Sequence, residues 1–157
     1  MATPLTTLNH VPWHEIKDSS GSAAAIPDLL TALASDDLAT ARNALRTLRE
    51  RICQYGFVVE QATAATVPFL WELAQRPEVT CRPQIVQLLS GIVSARQWED
   101  MATAYPKLLH YTDDYVGWER QARAAVRACR HVLPRLLADP DPELVRAAEG
   151  LAAAIAA

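Results

Sequence analysis

Three stretches of this chain follow one pattern: "IPDLLTALASDDLATAR", "VPFLWELAQRPEVTCR" and "LPRLLADPDPELVR". Each begins with an apolar residue, a proline and a leucine-bearing helical run. Each then breaks at a short acidic or proline-containing turn and resumes with an arginine early in a second helix. The prolines are Pro27, Pro68 and Pro134; the arginines are Arg42, Arg82 and Arg146. Pro27 and Pro68 lie 41 residues apart, a period that marks stacked helix pairs. From Pro68 to Pro134 the interval is 66 residues, one such period plus about 25 residues. The excess corresponds to a less regular, aromatic and acidic segment at about 96–117.

Apolar spacing supports helices on both sides of each break. Ile26, Leu29, Leu30 and Leu33 recur at the interval of one helical face. Leu38, Ala41, Leu45, Leu48 and Ile52 form the next stripe, behind Asp36 or Asp37 as N-cap. Val67, Leu70, Leu73 and Ala74 follow, with Thr63 as N-cap candidate, and then Ile85, Leu88, Leu89 and Ile92. A short helix is expected in "DMATAYPKLLHY", and a long one from Trp118 through "ERQARAAVRACRHVLPRLLAD". The last stripe is Leu144, Ala148, Leu151 and Ile155, started by Asp141 as cap and Pro142 in the first turn. Half the residues are hydrophobic and only 5 are glycine, which argues against disorder over most of the chain; residues 1–22 read as irregular, with Trp13 and Ile16 able to pack down as a cap. A proline inside each first helix would bend it at a fixed place and let each pair lie over its neighbour.

These residues resemble the HEAT repeat, and "LPRLLADPDPELVRAAEGL" is specific for a single repeat. A closer likeness is to bacterial HEAT-repeat proteins in which a Trp and a glycine-containing stretch precede the first "VP" helix. Here the corresponding second repeat is "ICQYGFVVEQATAATVPFLWELA"; Gln54 and Tyr55 stand where those proteins carry a polar His-Gln before the glycine. The resemblance covers about 13–95 and 123–157. It implies an all-α fold, a short α-solenoid of about three HEAT-like antiparallel helix pairs over residues 23–157. Some HEAT-like proteins of this size resemble immunity partners of bacterial toxins, so a toxin-neutralising role is one version of what the likeness implies.

No signature of catalysis accompanies this pattern. The chain has no GxSxG, no glycine-rich phosphate loop and no CxxC pair. Cys53, Cys81 and Cys129 read as small buried apolar residues of a reducing compartment. His10 and His14 are four apart, but Pro12 lies between them and no third ligand is near; His110 and His131 are single. Asp36, Asp37, Asp139 and Asp141 sit where helix caps belong. We therefore expect no catalytic residues, metal or cofactor. With no secretory leader and no membrane-length apolar run, a cytoplasmic protein without membrane contact is expected.

What remains is a binding surface. In a stacked-pair fold the second helices line an inner face, which would present Arg42, Asn43, Arg46 and Arg49, then Gln84 and Gln87. Glu50 and Glu149 would share that face. The arginines suit a protein partner with an acidic patch. Nucleic acid is the competing ligand, in a DNA-glycosylase-like module, but a net charge of −3 argues against it. Trp98, Tyr111 and Trp118 in the aromatic segment, with Tyr115, are either a second interface or a plug between repeats.

Overall fold

The computed structural model describes residues 4–107 and 113–157. It is mostly helical. The helices are α1 (Ile26–Leu33), α2 (Leu38–Ile52), α3 (Gln61–Ala74), α4 (Arg82–Val93), α5 (Gln97–Ala104), α6 (Tyr115–Ala128), α7 (Leu133–Leu137) and α8 (Pro142–Ala156). Two small antiparallel hairpins accompany them, one before α1 and one between α2 and α3. β1 (Lys17–Asp18) pairs with β2 (Gly21–Ser22), and β3 (Cys53–Gln54) with β4 (Val58–Val59). Among the described residues, no helix is long and apolar enough to cross a membrane.

Neighbouring helices pack in pairs, α1 on α2, α3 on α4 and α7 on α8. The pairs then meet along two layers. α3 packs on α6, while α4 packs on α8 and is joined to α2 by the Arg49 guanidinium, whose Nη2 donates to the Gln84 carbonyl at 3.2 Å. The expected stripes form one continuous core: Ile26, Leu30, Leu33, Leu48, Leu70, Leu73, Ile85, Leu89, Ile92 and Leu151 are all buried. Leu38 departs from its stripe and is 43% exposed. It is the first residue of α2, at the edge of the layer, where no neighbouring helix covers it.

The prolines act differently from the expectation. Pro27 and Pro134 lie in the first turns of α1 and α7, where a missing N–H leaves no helical bond unmade. Only Pro68 lies inside a helix, α3, and it is exposed. The expected long helix from Trp118 is also broken: α6 ends at Ala128, a 3-10 turn spans Arg130–Val132, and α7 starts at Leu133. Pro134 thus marks a restart rather than a bend. Thr63 is not an N-cap but the third residue of α3. Its hydroxyl accepts from the Glu60 backbone N–H at 2.9 Å and donates to the Ile52 carbonyl at 2.6 Å, tying the helix start to the end of α2.

Residues 4–22 are more structured than the composition suggests. A 3-10 segment spans Pro4–His10, and the Trp13 ring is buried, donating from Nε1 to the Leu8 carbonyl at 2.7 Å and leaning on Phe69 at 6.0 Å. Asp18 is buried and paired with Arg51 at 2.9 Å, which binds β1 to the end of α2. Arg82 ties the last two pairs together, donating to the Ala74 carbonyl at 2.8 Å and to Asp139 at 2.9 Å.

The first part of the less regular segment, residues 96–104, is held by a charge cluster that hydrophobic patterning does not disclose; residues 108–112 lie outside the described residues. Its short helix is Gln97–Ala104, earlier than the stretch expected, and no residue of α5 is buried. Helix α5 is instead gripped at its N-terminus. The Glu119 carboxylate, 0% exposed, accepts from the Trp98 and Glu99 backbone N–H groups, each at 3.0 Å. These donors have no partner within their own helix, and a carboxylate there also meets the positive end of the helix dipole. Arg123 completes the cluster, reaching Glu119 at 3.3 Å, Glu99 at 2.7 Å and the Ala95 carbonyl at 2.8 Å.

Two substitutions test this packing. Leu151→Ala should cost roughly 2–5 kcal/mol in urea unfolding, through a cavity between α4 and α8. Glu119→Ala should cost about 3–5 kcal/mol, because Arg123 loses a buried counter-charge and the first turn of α5 loses its acceptor. An unchanged urea midpoint in either variant would contradict the corresponding contact.

Candidate functional site

The row α2–α4–α8 carries a groove. At the α2 end is a recess of about 380 Å³ bounded by Arg46, Arg49, Glu50, Tyr55, Leu88 and Gly91. Towards α8 a second hollow, about 460 Å³, has Gln84, Gln87, Ser90, Glu143 and Arg146 in its walls. A third, with Leu38, Arg42, Gln84 and Glu143, closes the row at the start of the helices. Gln84, Gln87 and Glu143 are shared between these hollows, so they form one surface rather than three sites.

Side chains expected from helical spacing therefore do converge. Arg42, Arg46 and Arg49 from α2 meet Gln84 and Gln87 from α4 across the groove, and Asn43 holds Arg46 in place through Oδ1 at 2.9 Å. Trp98 and Trp118 lie elsewhere. Trp98 is half-buried, stacks on Tyr115 at 4.4 Å and donates from its indole nitrogen to the Val59 carbonyl at 2.9 Å. Trp118 is 8% exposed and meets Tyr115 edge-on at 5.1 Å. These two indoles are committed to packing α5 and α6 against β4, which leaves them little surface for a partner. Tyr111 and His110 lie outside the described residues.

Helical spacing missed the loop between β3 and β4, which supplies one wall of the recess. Tyr55 and Gly56 both adopt positive φ, 59° and 84°. The signal was present as a "YG" turn dipeptide between "ICQ" and "FVV", β-prone runs too short to stand out from the flanking helices. Gly91 on α4 is the complementary feature. A Cβ there would sit 2.9 Å from the Gly56 carbonyl oxygen, so the hairpin can rest on α4 only because position 91 has no side chain.

The recess is not built for nucleophilic chemistry. Cys53 lies in its wall, but burial pushes the thiol up to about 12, so it stays protonated and apolar at neutral pH. Among the described residues, no group of three His, Cys, Asp or Glu side chains is placed to hold a metal ion. The unusual titration lies on the far side of the hairpin. Burial, helped by the nearby Asp18 and Asp113 charges, raises the Glu60 carboxyl to about 7. Lys17 reaches Asp113 at 2.9 Å beside it, so Lys17 is not part of a loose tail. Glu99 shifts oppositely: hydrogen bonds from Arg120 and then Arg123 hold it down at about 2.

These shifts set two pH windows. Between the ordinary carboxylate range and about pH 7, folded Glu60 keeps a proton that the unfolded chain releases, so its contribution to stability falls as pH rises. Glu99 contributes stability at neutral pH that is lost as pH falls from the ordinary range towards 2. Glu60→Gln should therefore melt higher than the parent at about pH 8, with the gap closing by about pH 4. An identical gap at both pH values would show that Glu60 does not titrate in this window.

No protein-family model, no curated protein and no solved structure matches this chain, so the groove is interpreted from its own geometry.

Proposed function

We propose that this protein is a binding module of HEAT-like helix pairs, stacked as a short solenoid, whose α2–α4–α8 groove receives an acidic partner protein. The pairing of α1 with α2, α3 with α4 and α7 with α8 supports the solenoid reading, as do the hollows shared by α2 and α4 and by α4 and α8. Such arrays use their continuous inner faces to bind.

The observation that carries the reading is the state of the three α2 arginines in the groove, Arg42, Arg46 and Arg49. Among the described residues, Arg51, Arg82, Arg96, Arg120 and Arg123 each have a carboxylate within ion-pair distance. Arg42, Arg46 and Arg49 have none; Arg76, Arg127, Arg130, Arg135 and Arg146 also lack one, but only these three stand together on one helix along the groove, where Arg46 and Arg49 are held by the neutral oxygens of Asn43 and Gln84. Neutral acceptors orient a guanidinium without neutralising it, which leaves the charge for a ligand. Glu50 and Glu143 share the groove, so a continuous polyanion such as nucleic acid would meet repulsion there. A folded partner can place its carboxylates at the arginines alone. A toxin-neutralising role is the same reading with a toxin as the acidic partner.

Capture from the source cells, followed by association kinetics with the purified partner, tests this. The association rate should fall as salt rises, and Arg42→Glu and Arg46→Glu should each slow it by about tenfold or more. Arg130→Glu, an exposed position outside the groove, should not. Micromolar binding of duplex or single-stranded DNA at low salt, lost in the same variants, would replace the protein reading with a nucleic-acid one.

A further inference from the structure

The recess beside the β3–β4 loop has features the rest of the groove lacks. Its surface is mostly apolar, made by Leu88, the Cys53 side chain and the bare backbone at Gly91. Tyr55 stands over it and is 78% exposed, with a φ of 59° that L side chains rarely adopt. Phe57, 47% exposed, lies 6.3 Å away, ring to ring. An exposed aromatic pair in a strained loop contributes little to this fold, since Gly at position 55 would relieve the backbone and remove no buried surface. Tyrosine and arginine together beside an apolar recess are instead what anchor sites at protein interfaces are made of.

The charges at the rim select the occupant. Arg46 and Arg49 stand on one side without a carboxylate of their own, and Glu50 lies a turn beyond Arg46. We propose that the recess is an anchor site for a segment of a partner protein in which an apolar side chain is immediately flanked by Asp or Glu. The apolar side chain fills the space between Leu88, Gly91 and the Tyr55 ring, and the adjacent carboxylate is received by Arg46 and Arg49. Glu50 opposes that carboxylate and disfavours a segment acidic on both sides. This assignment rests on the groove reading above and specifies where and how the partner is gripped.

The test is amide NMR of the full chain titrated with a capped peptide, Gly-Ser-Leu-Asp-Glu-Ser-Gly. Two control peptides replace either the leucine by serine or the acidic pair by two lysines. The first peptide should shift Gly56, Gln87 and Gly91, and each control should bind roughly tenfold more weakly, the loss expected from removing one anchor. Tyr55→Gly should weaken the first peptide by a similar factor while leaving the melting temperature equal or higher, which separates binding from folding. Arg46→Glu should abolish the shifts, and Glu50→Gln should tighten binding. Absent shifts, equal binding of the three peptides, or full affinity in Tyr55→Gly would overturn the assignment. Should Tyr55→Gly retain the captured partner while Arg42→Glu loses it, the groove reading stands and the recess assignment falls.

Discussion

The burial of α4 on nearly every side is the constraint from which the rest follows. Pro83, Ile85, Val86, Leu88, Leu89, Ile92 and Val93 are all buried, and the helix packs on α3, α6 and α8. A helix so enclosed cannot rotate to repack, because turning it would bring polar residues into the core and apolar ones out. Its narrow open strip is thereby determined: Gln84, Gln87, Ser90 and, where the hairpin lies down on it, Gly91. The groove is the visible edge of this packed helix, and its floor is as rigid as the core beneath it.

Polar side chains complete what apolar packing leaves undone. Helix α5 buries no residue of its own, and its position rests on Glu119 and Arg123 from α6. Arg82 bridges the break after α3 to the break before α8, and Arg51 holds the N-terminal hairpin through Asp18. In each case a guanidinium spans two elements and meets a carboxylate that is itself little exposed. Such pairs add less to net stability than their geometry suggests, but they penalise wrong arrangements, since a misplaced element would strand a buried charge. Arg42, Arg46 and Arg49 of α2 stand outside this scheme, together on one groove, and the functional reading depends on that grouping.

Much of the architecture was legible because helical burial has a period. Ala41, Leu45, Leu48 and Ile52, or Ile85, Leu88, Leu89 and Ile92, are spaced so that only a helix puts them all on one buried side. The groove residues were legible for the same reason, as the complement of those stripes on α2 and α4. The prolines misled because position within a helix matters more than presence: Pro27 and Pro134 begin helices, and only Pro68 interrupts one. The aromatic segment was ambiguous between interface and plug because a tryptophan suits both. Only the hydrogen bond from Trp98 to Val59 and the enclosure of Trp118 assign these two to packing.

The sequence by itself determined a mostly helical chain, the helix pairs and the faces they bury, because those depend on spacings of a few residues. Contacts between distant positions were decided by the tertiary structure alone. Gly91 matters only because Gly56 lies over it, Glu119 only because the start of α5 needs an acceptor, and Arg46 only because no carboxylate came to neutralise it. Spacing along a chain carries the information for burial, which is local and periodic. Whether a given charge is satisfied depends on which side chains arrive from elsewhere, and no periodicity encodes that.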